Sequence, residues 1–165
     1  MDLYTLLENR ELDTAFVKET FANGNCIALY DRYPDVIDSV IGINQREHMK
    51  NNLQYCKDYA KHFTPNSRGL FMYGKTGLGK THLSLAIANE VLNKGYDVYY
   101  GSIQSIMDKL EAEHFGRLQR EDSIKDDILE CDLLIIDDLG TEFHNSFTQS
   151  VLYNLLNTRI NSAWH

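Results

Sequence analysis

An α/β fold with a parallel sheet is predicted for this 165-residue chain by three features. The glycine-rich stretch "GKTGLGKT", Gly74 to Thr81, stands between an apolar run and a helical pattern. Strand-like and helix-like segments alternate after it, the order that crossover helices impose on parallel strands. A fully apolar run, "LLII", then ends in two carboxylates, Asp137 and Asp138.

The elements follow in chain order. Leu3, Leu6, Leu7, Phe16, Val17 and Phe21 recur at roughly helical spacing, and the pattern stops at "ANGN", where Gly24 suits a helix end. Residues 1–27 are therefore expected to form a helical arm, and residues 28–165 the remaining domain. After "YDRYPD", a second helix is predicted from Gln45 to Phe63; "TPNSRG" then leads into a strand over Gly69–Tyr73. Behind the glycine-rich loop, Leu83, Ala86, Ile87 and Val91 share one helical face and Leu85, Ala88 and Leu92 another, so this helix is packed on more than one side. Lys94 and Gly95 stand in helix-ending positions. Asp97 to Gly101 reads as a strand, followed by a helix with Ser102 as its N-cap. "SIKDDILE" is a short helix, and "DLLIIDD" a buried strand. Phe147, Val151 and Leu155, beside Leu152, Leu156 and Ile160, make the last element a helix.

Bulk properties narrow the function classes. Sixteen Lys and Arg against 24 Asp and Glu give a net charge of -8, so a nucleic-acid contact needs a local basic patch. Lys109, His114, Arg117, Arg120 and Lys125 form the one basic cluster of note. Glu111, Glu113, Glu121 and Asp122 interleave with it, which favours a solvated face. Cys26, Cys56 and Cys131 lie too far apart to read as a zinc motif or a disulfide framework, and are expected to be free thiols in a reducing compartment. There is no leader pattern and no apolar run of membrane-spanning length, so a soluble, cytoplasmic protein is expected.

The loop fits G-x-x-x-x-G-K-[ST] at every fixed position and lies between a predicted strand and a predicted helix. Glycines there allow successive backbone N–H groups to point inward as an anion nest, and the new helix adds its positive end. This predicts a polyphosphate site. Its residues are Gly74, Thr76, Gly77, Leu78, Gly79, Lys80, Thr81 and His82. Lys80 is expected to reach the β and γ phosphates, and Thr81 to offer its hydroxyl to Mg²⁺, whereas Lys75 occupies a variable position and is solvated. Asp137 lies at the C-terminal end of an apolar strand, the edge where ligands bind in open parallel sheets, and is the candidate Mg²⁺ carboxylate. Asp138 is the candidate general base for an attacking water, or else orients the following loop; Glu142 competes for the base role. Thr141 reads as a turn hydroxyl in preference to a γ-phosphate sensor.

"GLFMYGKTGLGKTHLSLAIANEVLNKGYDVYY" followed by "DLLIIDDLGTE" resembles the DnaC and DnaI family of bacterial replicative helicase loaders, with the related IstB transposition ATPases, all of the AAA+ class. "YPD", "YCKDYAKHF" and "FTQSVLYNLLNTRI" extend the likeness to residues 28–160. The P-loop is shared by many NTPases, whereas its combination with "IIDDLGTE" is much more specific. The resemblance implies binding of ATP with Mg²⁺, self-assembly, contact with single-stranded DNA, and a part in placing a replicative ring helicase on DNA. An IstB-like transposition helper is the alternative, and a nucleotide-binding module without turnover a further one.

Two departures from the family pattern are expected to matter. The second Walker B acid is often Glu and is Asp138 here, which shortens its reach to water. Family members also continue with a strand bearing a polar sensor, an arginine finger, a further strand and a second sensor arginine, whereas this sequence stops at Trp164 and His165. A partial AAA+ module with very slow hydrolysis on its own is the expectation. Arg159 is read as a solvated or interface arginine and not as a substitute finger. The zinc-binding domain of DnaI-type loaders is not expected, because Cys26 stands alone on the N-terminal side.

Overall fold

In a computed structural model of the chain, the described residues are 35–37, 39, 42–116, 123–139 and 146–162. The expected arm at 1–27 lies outside them, as do Arg117, Arg120, Glu121, Asp122, Thr141 and Glu142. Five helices and two strands are formed among the described residues: α1 (Gln45–His62), α2 (Lys80–Asn93), β1 (Val98–Ser102), α3 (Ile103–His114), α4 (Ile124–Glu130), β2 (Leu133–Asp137) and α5 (Ser146–Ser162). None of these helices is long and apolar enough to cross a membrane. The chain divides into two compact units. One runs to Phe63 and resumes over Arg68–Gly95; the other joins Thr64–Ser67 to the chain from Tyr96 onward.

In the first unit α1 packs on α2. Asn44 caps α1, its side-chain oxygen accepting from the Glu47 N–H at 3.1 Å, which satisfies one of the free donors at a helix start. Leu53, Cys56 and Ala60 are the buried residues of α1. On α2, Leu83, Leu85, Ala86, Ile87, Ala88 and Val91 are all buried, so the helix is enclosed on more than one side as its two apolar faces predict. Its end is set by Lys94 and by Gly95 at φ +86°, a left-handed value that glycine adopts without a Cβ penalty. The Lys94 ammonium donates to the Ala60 carbonyl at 2.6 Å and to the Lys61 carbonyl, so the end of α2 brings a positive donor to the last turn of α1, where the helix dipole is negative.

One predicted element is not formed. Residues 67–74 carry no helix or strand, and Phe71 and Tyr73 are 75% and 85% exposed, their rings stacked at 6.2 Å. Burial still alternates, with Leu70 and Met72 half-buried. A strand exists only through ladder bonds to a neighbour, and among the described residues none supplies them to this segment.

In the second unit β1 and β2 pair in parallel, in register from Val98 opposite Leu133 to Ser102 opposite Asp137. The two-residue period puts Tyr99, Leu134 and Ile136 on one face of the pair. On that side Tyr99, Ile106, Ile124, Ile128 and Leu155 form a core, with Leu134 and Ile136 packed against it, so α3, α4 and α5 contribute to one cluster. Gly101 is a close approach: a Cβ there would meet Ile106 Cγ1 at 2.9 Å. Ser102 caps α3 as predicted, its hydroxyl accepting from the Ser105 N–H at 3.3 Å. β2 was expected to be buried, yet Leu133–Asp137 are all half-buried. The reason is that β2 has a neighbouring strand on one side only among the described residues.

Arg159 has a structural role. From α5 its guanidinium donates to the carbonyls of Ile128 at 2.7 Å and Leu129 at 3.1 Å, and stands 3.4 Å from Cys131 Sγ. It thus closes the C-terminal end of α4, where carbonyls lack helical partners and the helix dipole is negative.

Candidate nucleotide-binding site

The loop of the first unit bends as its glycines predict. Gly74, Gly77 and Gly79 take φ values of +144°, +82° and +83°, closed or costly to residues with a Cβ. At Gly74 a Cβ would also be tight, lying 3.1 Å from Leu78 Cδ1. Gly79, left-handed, is the N-cap of α2, and no side chain caps that helix start. Its carbonyl accepts the N–H of Leu83 at 2.9 Å, the first bond of the helix ladder.

Lys80 opens α2 and folds back over the loop. Its ammonium donates to the carbonyls of Gly74 and Lys75, both at 2.9 Å. A positive group is therefore held at the mouth of a loop with a bare backbone, next to a helix N-terminus, and this donor set suits a phosphate chain. Thr76 and Gly77 are exposed, as is Lys75, in keeping with its expected solvation. Thr81 is half-buried, and its carbonyl accepts from the Ser84 hydroxyl at 2.8 Å. His82 is different: its side chain is 8% exposed, and burial pushes the imidazole pKa down, which favours the neutral ring.

In the second unit, Asp137 ends β2 and both its carboxylate oxygens accept hydrogen bonds. Oδ1 accepts from the Asp138 backbone N–H at 3.0 Å, and Oδ2 from the Tyr100 hydroxyl at 2.6 Å. The first bond is local and depends on Asp138 at φ +56°, the one non-glycine residue with positive φ among those described. Asp tolerates that region better than most residues, and such conformations concentrate where function constrains the backbone. Asp138 itself is exposed, as access to a water requires. The oxygens of Asp137 and the Thr81 hydroxyl are hard donors of the type Mg²⁺ takes.

Tyr100 escaped the sequence reading. "DVYYG" marks a strand and shows two adjacent tyrosines, but nothing in it tells which hydroxyl meets a carboxylate 37 residues away. Within the basic cluster, Lys109 Nζ stands 5.9 Å from the Tyr99 ring centroid, and the Lys125 backbone N–H donates to a Glu113 carboxylate oxygen at 3.2 Å.

Residues 45–163 match the family of IstB-like ATP binding proteins. The replicative helicase loader DnaC of Escherichia coli is 28% identical over 116 residues, which cover 70% of this chain and 47% of that protein. DnaC of Buchnera aphidicola subsp. Baizongia pistaciae is 26% identical over 107 residues, 64% of this chain and 44% of that one. The chromosomal replication initiator protein DnaA of Aliarcobacter butzleri is 35% identical over 95 residues, 53% of this chain and 20% of the initiator. The chain spans about half the length of the DnaC relatives it matches.

Proposed function

The chain belongs to the family of IstB-like ATP binding proteins, and on that premise we propose that it is an ATP-dependent accessory protein of DNA replication, of the helicase-loader kind. The observation that carries the nucleotide reading is the Lys80 ammonium folded over a loop whose three glycines all have positive φ. In this reading the ammonium leaves the Gly74 and Lys75 carbonyls for the β and γ phosphates. Backbone N–H groups from Thr76 to His82 cradle the remaining oxygens. His82 takes part through its backbone, because its ring is buried. For Mg²⁺, Thr81 is the proposed hydroxyl ligand of the first unit, and Asp137 is by the family resemblance the proposed carboxylate. When bound, that ion offsets the phosphate charge. Asp138, which is exposed, is the proposed residue to orient or deprotonate water.

Replication is favoured because the similar proteins named above are a helicase loader and a replication initiator. The proposed partner is a replicative ring helicase, with self-assembly on ATP, single-stranded DNA as a further ligand, and a cytoplasmic location. The transposition-helper reading is favoured by the family itself; binding to a purified replicative helicase, against binding to a transposase, separates the two. The nucleotide site is tested by Lys80→Ala. Titration with a fluorescent ATP analogue is expected to show loss of binding, and an unchanged affinity overturns the assignment.

A further inference from the structure

Tyr100 and Asp137 meet because of strand register. Tyr100 is paired with Ile135, and the two-residue period brings Asp137, two positions on, to the same face of the strand pair. The tyrosine ring is 8% exposed and fixed in the middle of β1, so its hydroxyl has little freedom. At 2.6 Å from Oδ2, the contact has the length of a charge-assisted O–H···O⁻ bond. Oδ1 is held independently by the Asp138 N–H. A donor on each oxygen fixes the carboxylate plane.

We propose that Tyr100 is a positioning residue for the Asp137 carboxylate, setting the orientation in which that carboxylate serves Mg²⁺. The proposal rests on the reading of Asp137 given above. Donors that orient a metal-binding carboxylate typically change metal affinity about 10- to 100-fold when removed. Tyr100→Phe keeps the buried ring and removes only the hydroxyl.

The experiment is a Mg²⁺ titration of binding of a non-hydrolysable fluorescent ATP analogue to the full chain and to Tyr100→Phe, Asp137→Asn and the double variant, with thermal unfolding of each in parallel. Tyr100→Phe is expected to raise the half-saturating Mg²⁺ concentration about tenfold and to leave the affinity measured in EDTA unchanged. In the Asp137→Asn background the same change is expected to have no further effect on the Mg²⁺ requirement. If Asp137→Asn raises the requirement and Tyr100→Phe does not, the positioning role is overturned while the reading of Asp137 stands. If Asp137→Asn has no effect, the reading of Asp137 falls and the Tyr100 role falls with it. A Tyr100→Phe variant that lowers the unfolding temperature with an unchanged Mg²⁺ requirement has lost a structural bond only, which also overturns the proposal.

Discussion

The Tyr100 hydroxyl donates to Asp137 Oδ2 at 2.6 Å, joining the middle of β1 to the last residue of β2. The bond crosses the strand pair diagonally, since Tyr100 is in register with Ile135. It gives a half-buried carboxylate a fixed orientation at the strand edge where parallel sheets place ligands. The glycine-rich loop of the first unit is set by its own glycines, whereas this carboxylate is oriented from a neighbouring strand.

Backbone strain in the loop gives a first expectation. No atom lies within 4 Å of a Cβ added at Gly77, so Gly77→Ala probes φ +82° alone. It is expected to cost about 1–2 kcal/mol in urea unfolding and to weaken nucleotide binding. Gly77→Asn, which tolerates the left-handed region better, recovers part of the stability.

Arg159→Ala is expected to lower stability by about 1–3 kcal/mol, because the Ile128 and Leu129 carbonyls lose a charged donor. Arg159→Lys should fall between, since an ammonium cannot reproduce the fork of the guanidinium. Nucleotide affinity is expected to be unchanged in both, and a loss of affinity at wild-type stability would show that the residue acts on ligand.

At Gly101 the constraint is space. Gly101→Ala drives a Cβ into Ile106 Cγ1, and a cost of about 1–3 kcal/mol is expected from overpacking. Ile106→Ala is destabilising by itself through the cavity it leaves. The two changes should nevertheless be less than additive in a double-mutant cycle, because the second opens the space that the first needs.

Cys56 gives a pH test. Burial pushes its thiol from 9.0 up to about 11. Between these values the unfolded chain releases the proton and the folded chain keeps it. The stabilising contribution is therefore complete below pH 9 and is lost as pH rises towards 11. Cys56→Ala should flatten the fall in urea midpoint over that range. At pH 8 the native thiol should resist maleimide, with labelling appearing on addition of denaturant.

Much of the molecule is legible in the sequence where the deciding forces are local. Gly74, Gly77 and Gly79 announce their positive φ values, Ser102 its cap and Gly95 its helix end, because a missing Cβ or a nearby side-chain oxygen acts within a few residues. The helices of both units and the parallel order of β1 and β2 follow from apolar spacing and alternation. The tertiary structure alone decided that Gly69–Tyr73 remains outside a sheet, that β2 is half-buried, that Arg159 closes α4, and that Tyr100 holds Asp137. Each of these depends on a backbone or side-chain partner that local sequence does not identify. Strand pairing and register choose that partner in space, and the apolar pattern that makes a strand favourable does not specify its neighbour.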